Sequence, residues 1–598
     1  MLSFELYNFF PIFMCGIFGV TNDQTNQAAQ TVLSGLKKLE YRGYDSWGIA
    51  LQSQNAKAIQ IEKHIGKIGG ATTSLPDGKT AIGHTRWATH GGVTDVNAHP
   101  HLDCTKQISV IHNGIVENYQ ELKIELLKSN HTFISETDTE VIAHLIEEKS
   151  KKTDMLHAVL AAFKELAGSN AIAVLDLSAS SIIVCRNGSP LVVGYGVDSS
   201  YIASDATALL DKTNRVHFML DGEAAHINRA KIQFFDIQTE KEKKITPEII
   251  DWKAEQAEKD GYPHFLIKEI FEQKRTIPQA LVNSVKSISE IVSLIKQGYK
   301  PVFVGCGSAY YCGLAGTYFF ADAGIPSAVF GAYEFDPFMQ FIDNKSLVFA
   351  ISQSGETADT LIAIRAAKKA GAKIVALINA QGSTLERIAD YVVPVKAGPE
   401  ISVVSTKAFT AQLSTLLAIA SQISKRSNDS FSHIFQTWIE NKKMQQSILD
   451  LAKKLVEEEH IYVVGKYFNY PSTFEFALKL KETSYIHAEA FSSGELKHGV
   501  ISLIQKNTPC VILTANDSIF KEVISSAIEL KSRGGFIIGI GPKNNEAFSE
   551  WIETPDGDPI YSPFYNIIVG QLLGYYLSIG RGADPDKPRN LAKSVTVK

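Results

Sequence analysis

Cysteine is scarce in this chain: six residues in 598, at positions 15, 104, 185, 306, 312 and 510, with no CxxC pair among them. So thin a supply excludes a disulfide framework, and the missing short spacing leaves no signature of a zinc site. The expectation is a cytoplasmic protein of a reducing compartment, without a metal. An excess of either charge is missing too. A net charge of −5 and a pI near 6.4 leave no basic footprint for nucleic acid or an anionic membrane. Nowhere is there the run of about 20 apolar residues that a spanning helix needs. Residues 1–14 carry Phe4, Phe9, Phe10, Ile12 and Phe13, but no Lys or Arg, and they are broken by Glu5, Asn8 and Pro11. That is not a secretory signal; residues 1–14 read as a removable leader or a mis-assigned start. The phosphate-binding patterns GxGxxG and GxxxxGK[ST] are also lacking, which disfavours dinucleotide and nucleoside triphosphate binding.

What is present is the composition of an ordinary globular protein, 45% hydrophobic and 21% charged, long enough for three or so domains. Cys15 directly follows Met14 and opens an apolar run, 16–20, that reads as a strand. Trimming after Met14 makes Cys15 the terminal residue. Its α-amine, with a pKa of about 7.7–8.0, is then partly neutral at pH 7, and thiol and base sit on one residue. A small cysteine buried on a core strand is the alternative reading. Further on, helical spacing predicts helices over 31–39, 117–128 and 139–149. Short apolar runs predict strands over 80–84, 108–112, 171–177, 181–186 and 232–236. The pattern implies stacked antiparallel sheets flanked by helices.

Residues 238–262 turn polar and charged and read as a linker. After about residue 285 the rhythm is that of parallel α/β structure, with strands expected at 301–305, 347–351 and 373–378, then again at 461–465, 510–513 and 535–540. The constant offset of about 160 residues implies a tandem duplication. In the first copy, Ser352-Gln353-Ser354-Gly355-Glu356-Thr357 lies between a strand and a helix, a phosphate cradle or simply a capped turn. Ser308 ends the neighbouring strand on the same side, where open α/β sheets bind ligands. The second copy has Lys, Tyr, Ala and Asn in the corresponding places. It adds Lys479, Glu482 and His498, groups suited to moving protons on a sugar, although Lys479 and Glu482 at i, i+3 also fit a plain ion pair. The final run, Asn590 to Val597, sets Lys593 among apolar residues, as if docked; a desolvated lysine there can form a Schiff base.

Taken together, Cys15-Gly16-Ile17, the run Leu39 to Ser46, His84-Thr85-Arg86-Trp87-Ala88-Thr89-His90, Asn97-Ala98-His99-Pro100, His112-Asn113-Gly114, Ser135 to Glu140, the Ser352–Thr357 loop, Val404 to Thr410, Gly494 to Gly499 and the C-terminal run resemble the glutamine-dependent, isomerising fructose-6-phosphate aminotransferases. The resemblance covers everything from Cys15 onward. It implies an α/β and α+β multidomain chain, an N-terminal-nucleophile glutaminase sandwich followed by two tandem parallel sugar-isomerase (SIS) domains. The expected divisions are a leader at 1–14, the class II glutaminase at 15–238, a linker at 239–284, isomerase domains at 285–430 and 448–588, and a catalytic tail at 589–598.

For the glutaminase, the resemblance implies Cys15 as nucleophile with its own amine as base, and Asn113 with the Gly114 N–H as oxyanion donors. Arg86 and Asp138 would hold glutamine's carboxylate and ammonium, Thr89 and His90 would line the pocket, and Trp87 would gate the ammonia passage. His99 reads as structural. For the isomerase it implies Ser308, Ser352, Gln353, Ser354 and Thr357 on the phosphate of fructose 6-phosphate, with Val403 and Ser405 along the sugar. Lys593 would form the imine, Glu482 near Lys479 would move the proton between C1 and C2, and His498 would open the ring from a neighbouring subunit. A homodimer is then the minimal unit, no metal or organic cofactor is implied, and the reaction opens amino-sugar synthesis. The chain departs from the family at Cys306-Gly307-Ser308-Ala309, where relatives read Cys-Gly-Thr-Ser, and at Glu272-Gln273-Lys274, where they read Glu-Gln-Pro. Two other readings stand beside this one: a different glutaminase such as an amidophosphoribosyltransferase, and a sugar-phosphate-binding regulator with a defunct glutaminase.

Overall fold

The computed structural model describes residues 15–53, 56–228, 231–250, 259–282 and 286–595. The expected leader lies outside the described residues, as do the last three residues of the tail. Two compact units result, one from 15–250 with 356–358 and 594–595, the other from 259–355 and 359–593.

In the first unit two antiparallel sheets face each other. The eight-stranded sheet runs, from edge to edge, Glu248–Ile249, Arg215–Phe218, Val192–Tyr195, Ser200–Ala203, Gly16–Thr21, Gly78–Arg86, Ser46–Ser53 and Gln60–Ile65. The seven-stranded one runs Glu242–Lys243, Ile232–Asp236, Glu223–Ile227, Ser181–Asn187, Asn170–Asp176, Ile108–Gly114 and His101–Leu102. Strand alternation decides what each face touches. Ala171, Ala173 and Leu175 meet Ile17, Ala50 and Ile82 between the sheets, whereas Ile172 and Val174 meet the helices Glu140–Ser150 and Met155–Glu165 outside. The helix Ala28–Leu39 covers the far face of the larger sheet, so the layers run helix, sheet, sheet, helix. The helix Met155–Glu165 escaped the sequence reading, although Val159, Leu160 and Phe163 are buried at helical spacing. Register then brings the start of one strand to the end of its neighbour. Gly16 pairs with Thr85 and Ile17 with His84, which sets Cys15 beside Arg86 and Trp87.

The second unit holds two five-stranded parallel sheets of identical order, second-first-third-fourth-fifth along the chain. One is Ala328–Gly331, Lys300–Gly305, Ser346–Ser352, Lys373–Ile378, Tyr391–Pro394; the other is His487–Ser492, His460–Gly465, Pro509–Leu513, Phe536–Gly541, Glu550–Glu553. One apolar core spans both copies and takes in the helices Lys407–Ser424, Lys442–Leu455, Asn469–Ser484 and Ser562–Gly580. The last of these is apolar all round because it is buried all round. Among the described residues no helix is long and apolar enough to cross a membrane.

The stretch read as a linker contains more structure than its composition suggests. Glu242–Lys243 and Glu248–Ile249 are edge strands of the first unit, and Phe265–Leu281 is a helix whose Leu266, Ile270 and Ile277 lie in the core of the second. Asp586 caps that helix, its carboxylate accepting from Phe265 N and Leu266 N at 2.9 and 2.7 Å.

Close packing against the strand that leads from Cys15 generates a test. A Cβ on Gly35 would stand 2.4 Å from the ring of Phe18. Gly35→Ala should therefore destabilise the first unit by about 1–3 kcal/mol through overpacking, read as a lower urea midpoint, despite the better helix propensity of alanine.

Candidate active sites

Cys15 ends just before its strand, and its Sγ accepts from the Trp87 N–H at 3.3 Å. The Cys15 carbonyl receives Arg42 Nε at 3.1 Å and Asn113 Nδ2 at 3.0 Å. Asn113 Nδ2 also donates to Ser204 Oγ at 2.8 Å, and that hydroxyl takes the Ile17 N–H at 2.7 Å. Burial pushes the Cys15 thiol up to about 11, although the Trp87 N–H, Arg86 and Arg42 pull the other way. Such a thiol is almost wholly protonated at neutral pH. Gly114, next to Asn113, has φ 135°, and a Cβ there would stand 1.9 Å from the Ser169 carbonyl oxygen; only glycine fits.

Arg86 donates to the carbonyls of His90, Gly91 and Gly92, fixing the loop that carries Thr89 and His90. That loop is tied to the segment before Asp138 by Asn97, whose Nδ2 donates to Gly92 O and Glu136 Oε2 and whose Oδ1 accepts the Glu136 N–H. Asp138 is buried and accepts the Val116 N–H at 2.8 Å. Thr89 is exposed, His90 meets the Tyr119 ring edge-on, and Trp87 meets Tyr44 the same way. Beneath lies a set of buried imidazoles. His99 stacks on His84 at 4.1 Å, and His84 Nε2 faces Asn113 Oδ1 at 3.1 Å. Burial drives His84 down to about 3, so this stack is neutral.

In the second unit, the carboxyl ends of Lys300–Gly305 and Ser346–Ser352 flank the point where strand order reverses, the usual ligand crevice of an open sheet. Ser308 opens the helix Ser308–Asp322 after Gly307 at φ 55°, and Ser352 Oγ accepts the Gly355 N–H at 2.9 Å. Gly355 has φ 66°, and a Cβ there would stand 2.2 Å from Ser383 Oγ. Gln353 O receives the Asn379 and Ala380 N–H groups, and Thr357 directly precedes the helix Ala358–Lys369. Ala309 sits in the first turn of its helix with its N–H on Cys306 O.

Lys479 gathers the rest. Its Nζ lies 2.6 Å from Glu482, 3.3 Å from Glu475, 3.2 Å from Ser308 Oγ and 3.1 Å from Ser405 O. Burial works to lower its pKa, but the two carboxylates outweigh that and hold it up. Ser405 Oγ in turn donates to Glu400 Oε2 at 3.3 Å, and the same oxygen takes Lys593 Nζ at 2.5 Å. Lys593 Nζ also donates to Ser402 O at 2.8 Å. Ser308, Ser405, Lys479, Glu482 and Lys593 are thus linked through Glu475 and Glu400, two residues the sequence reading did not single out. Val403 is buried, its N–H on Asp586 O. His498 is exposed on a short turn, and its ring has no hydrogen-bond partner among the described residues. Lys274 forms an exposed pair with Glu440 at 2.6 Å, while the adjacent Gln273 is buried against Gln571 and Thr410.

Two family models match the chain. A family model described as Glutamine amidotransferase domain matches residues 56–246, and one described as SIS domain matches 293–422 and 454–578. The chain is 40% identical over 608 residues to a glutamine–fructose-6-phosphate aminotransferase [isomerizing] of Thermococcus kodakarensis, covering 98% of this chain and 100% of that one. The chain belongs to the isomerizing glutamine–fructose-6-phosphate aminotransferase family. An Aquifex aeolicus member of the family is 41% identical over 604 residues, with coverage of 98% and 100%. Among solved structures, the C-terminal domain of glucosamine-fructose-6-phosphate aminotransferase from Francisella tularensis aligns at 32% identity and TM-score 0.49, covering 55% of this chain and 99% of that one.

In this member of the family, burial pushes Glu475 up to about 7. A carboxyl raised by folding stabilises the fold while protonated; that contribution is present below its unfolded value and is lost as pH climbs through the folded one. Glu475→Gln should therefore flatten the fall in melting temperature between about pH 5 and about pH 8. A melting profile that keeps the wild-type slope would contradict the assignment.

Proposed function

We propose that this protein converts fructose 6-phosphate and glutamine to glucosamine 6-phosphate and glutamate, with ammonia passing from the glutaminase site to the isomerase site. The observation that carries this reading is the pairing of a cysteine at a strand entrance with a Lys–Glu network at a parallel-sheet switch point in a chain of this family.

At the first site Cys15 attacks the side-chain amide carbon of glutamine. Its thiol is held protonated by burial, so attack requires a base, and the α-amine of a chain beginning at Cys15 supplies one on the same residue. Asn113 and the Gly114 N–H meet the oxyanion, Arg86 and Asp138 grip the amino-acid end, and Thr89 and His90 close the pocket. Collapse of the adduct releases ammonia and leaves a thioester, which water cleaves to glutamate. Trp87 gates the ammonia. At the second site Ser308, Ser352, Gln353, Ser354 and Thr357 bind the phosphate, with Val403 and Ser405 along the sugar. Lys593 gives its proton to water, and its free amine condenses with the C2 carbonyl and releases water. Ammonia displaces the lysine, and Glu482, held by Lys479, carries the proton between C1 and C2. His498 assists ring opening in the site of a second copy, which makes a homodimer the minimal active unit.

Cys15→Ala should abolish glutamine-dependent product while fructose 6-phosphate is still isomerised; retained glutamine hydrolysis would sink the nucleophile assignment. Borohydride added with fructose 6-phosphate should trap the peptide containing Lys593, and Lys593→Arg should trap nothing. Crossed sites make a further demand. Chains carrying His498→Ala and Lys593→Arg, each inactive alone, should on subunit exchange recover about a quarter of wild-type activity, because half the dimers then hold one intact site. Finally, a chain that retains residues 1–14 should lack glutaminase activity, and one that begins at Cys15 should have it, as intact mass of the active protein would show.

A further inference from the structure

Away from both sites, four side chains from three separate segments of the first unit converge. Cys104 lies in the loop between His101–Leu102 and Ile108–Gly114, a loop whose backbone Asp103 fixes by accepting from Gln107 N and Ile108 N at 2.8 Å each. His131 follows the helix Tyr119–Lys128, past a left-handed turn at Asn130. His144 and Glu147 stand one turn apart on Glu140–Ser150. Their donor atoms all lie within 4.8 Å of one another.

The separations have the pattern of a coordination shell. Cys104 Sγ is 3.6 Å from His131 Nδ1 and 3.5 Å from His144 Nδ1. Glu147 Oε2 is 3.2 Å from His131 Nδ1 and 3.5 Å from His144 Nδ1. A tetrahedral zinc with ordinary bond lengths sets sulfur about 3.6 Å from nitrogen, and nitrogen about 3.4 Å from nitrogen or oxygen. The His131 ring turns its other nitrogen to a carboxylate, Nε2 facing Glu148 at 3.1 Å, the outer-shell contact that fixes the tautomer of a metal-bound imidazole, while His144 Nε2 lies 3.6 Å from Glu140, beyond hydrogen-bond length.

Both Nδ1 atoms face Cys104 Sγ and Glu147 Oε2, an oxygen that also accepts the Cys104 N–H at 3.0 Å, and the two buried rings stand with centroids 5.2 Å apart. A divalent cation at the centre meets all four donors at once. We propose that Cys104, His131, His144 and Glu147 bind one zinc ion. One thiolate, two imidazoles and one carboxylate are a zinc-like donor set, and four protein ligands make a closed, structural site. Cys104, the exposed member, marks the entrance. The ion clamps the 103–107 loop, the turn after Tyr119–Lys128 and the helix that begins just after Asp138.

The test uses the full chain. Purified protein should carry about one zinc per chain by elemental analysis, and stripping with a chelator should lower its melting temperature, with recovery on adding zinc. Cobalt in place of zinc should give a thiolate-to-cobalt charge-transfer band that disappears in Cys104→Ser and persists in Cys15→Ala. Glu148→Gln, which leaves all four ligands intact, should weaken zinc binding about tenfold or more. Folded protein that takes up neither zinc nor cobalt would overturn the proposal, as would a cobalt band that survives Cys104→Ser.

Discussion

Glu400 is the residue on which the second unit turns. Its side chain is buried, and a buried carboxylate without partners costs several kcal/mol. Here it is met from two sides. Oε1 accepts Thr406 N and Ala408 N at 2.9 and 3.0 Å, capping the helix Lys407–Ser424, while Oε2 holds Lys593. The irregular segment from Glu400 to Thr406 would otherwise bury N–H groups with no acceptor. Glu400 takes that of Thr406, and Glu269 takes those of Ile401 and Ser402. Lys593 can therefore leave without stranding the carboxylate, because the helix N-terminus still faces it. A lysine held by an acid that is stable either way is free to exchange partners.

The first unit meets its constraint differently. Among the described residues no ion pair balances the imidazoles of His84, His99 and His101; burial keeps each below its ordinary value and they pack as neutral rings. Neutrality lets them stack beneath Asn113 and hold its amide through His84, at no cost in unpaired charge. Orientation of the Cys15 carbonyl thus descends from strand register through Asn113 to a layer of uncharged rings. One unit uses paired charge and the other uses its removal, and both serve to hold a side chain still.

Much of this was legible in the sequence. Short apolar runs located the sandwich strands and the helix–strand rhythm located the parallel repeat, and expected strand 373–378 is observed as Lys373–Ile378. Elements failed to show where their apolar signal was weak or their neighbours misleading. Phe265–Leu281 hid behind the charge run that precedes it. At the sites, residues with a distinctive local setting, Cys15 and the Ser352–Thr357 loop, could be picked out directly. Glu400 could not, because nothing local distinguishes a carboxylate that will be buried opposite a lysine brought from 193 positions away; Glu475, one turn before Lys479, reads in the sequence as a plain i, i+4 ion pair. The Cys104 cluster escaped for the same reason as Glu400: only His144 and Glu147 share a helix face, and the remaining ligands arrive through tertiary folding.

The duplicated sheets carry this logic furthest. Two copies of one topology start equivalent, yet at the carboxyl ends of the second sheet the polar groups are occupied among themselves, Lys466 with Glu522 and Asn516 with Asp556. The helix Asn469–Ser484 instead directs Glu475, Lys479 and Glu482 at Ser308, in the first copy. One copy thus keeps hydroxyls and glycines at its strand ends, and the other supplies charge to the same place. Neither could do so alone. A hydroxyl-lined loop has no group to shuttle a proton, and a buried Lys with two carboxylates has no backbone N–H cradle. Fusing the copies in one chain with one core fixes the charged helix against the open loops, so the asymmetry between them is what turns a repeat into a site.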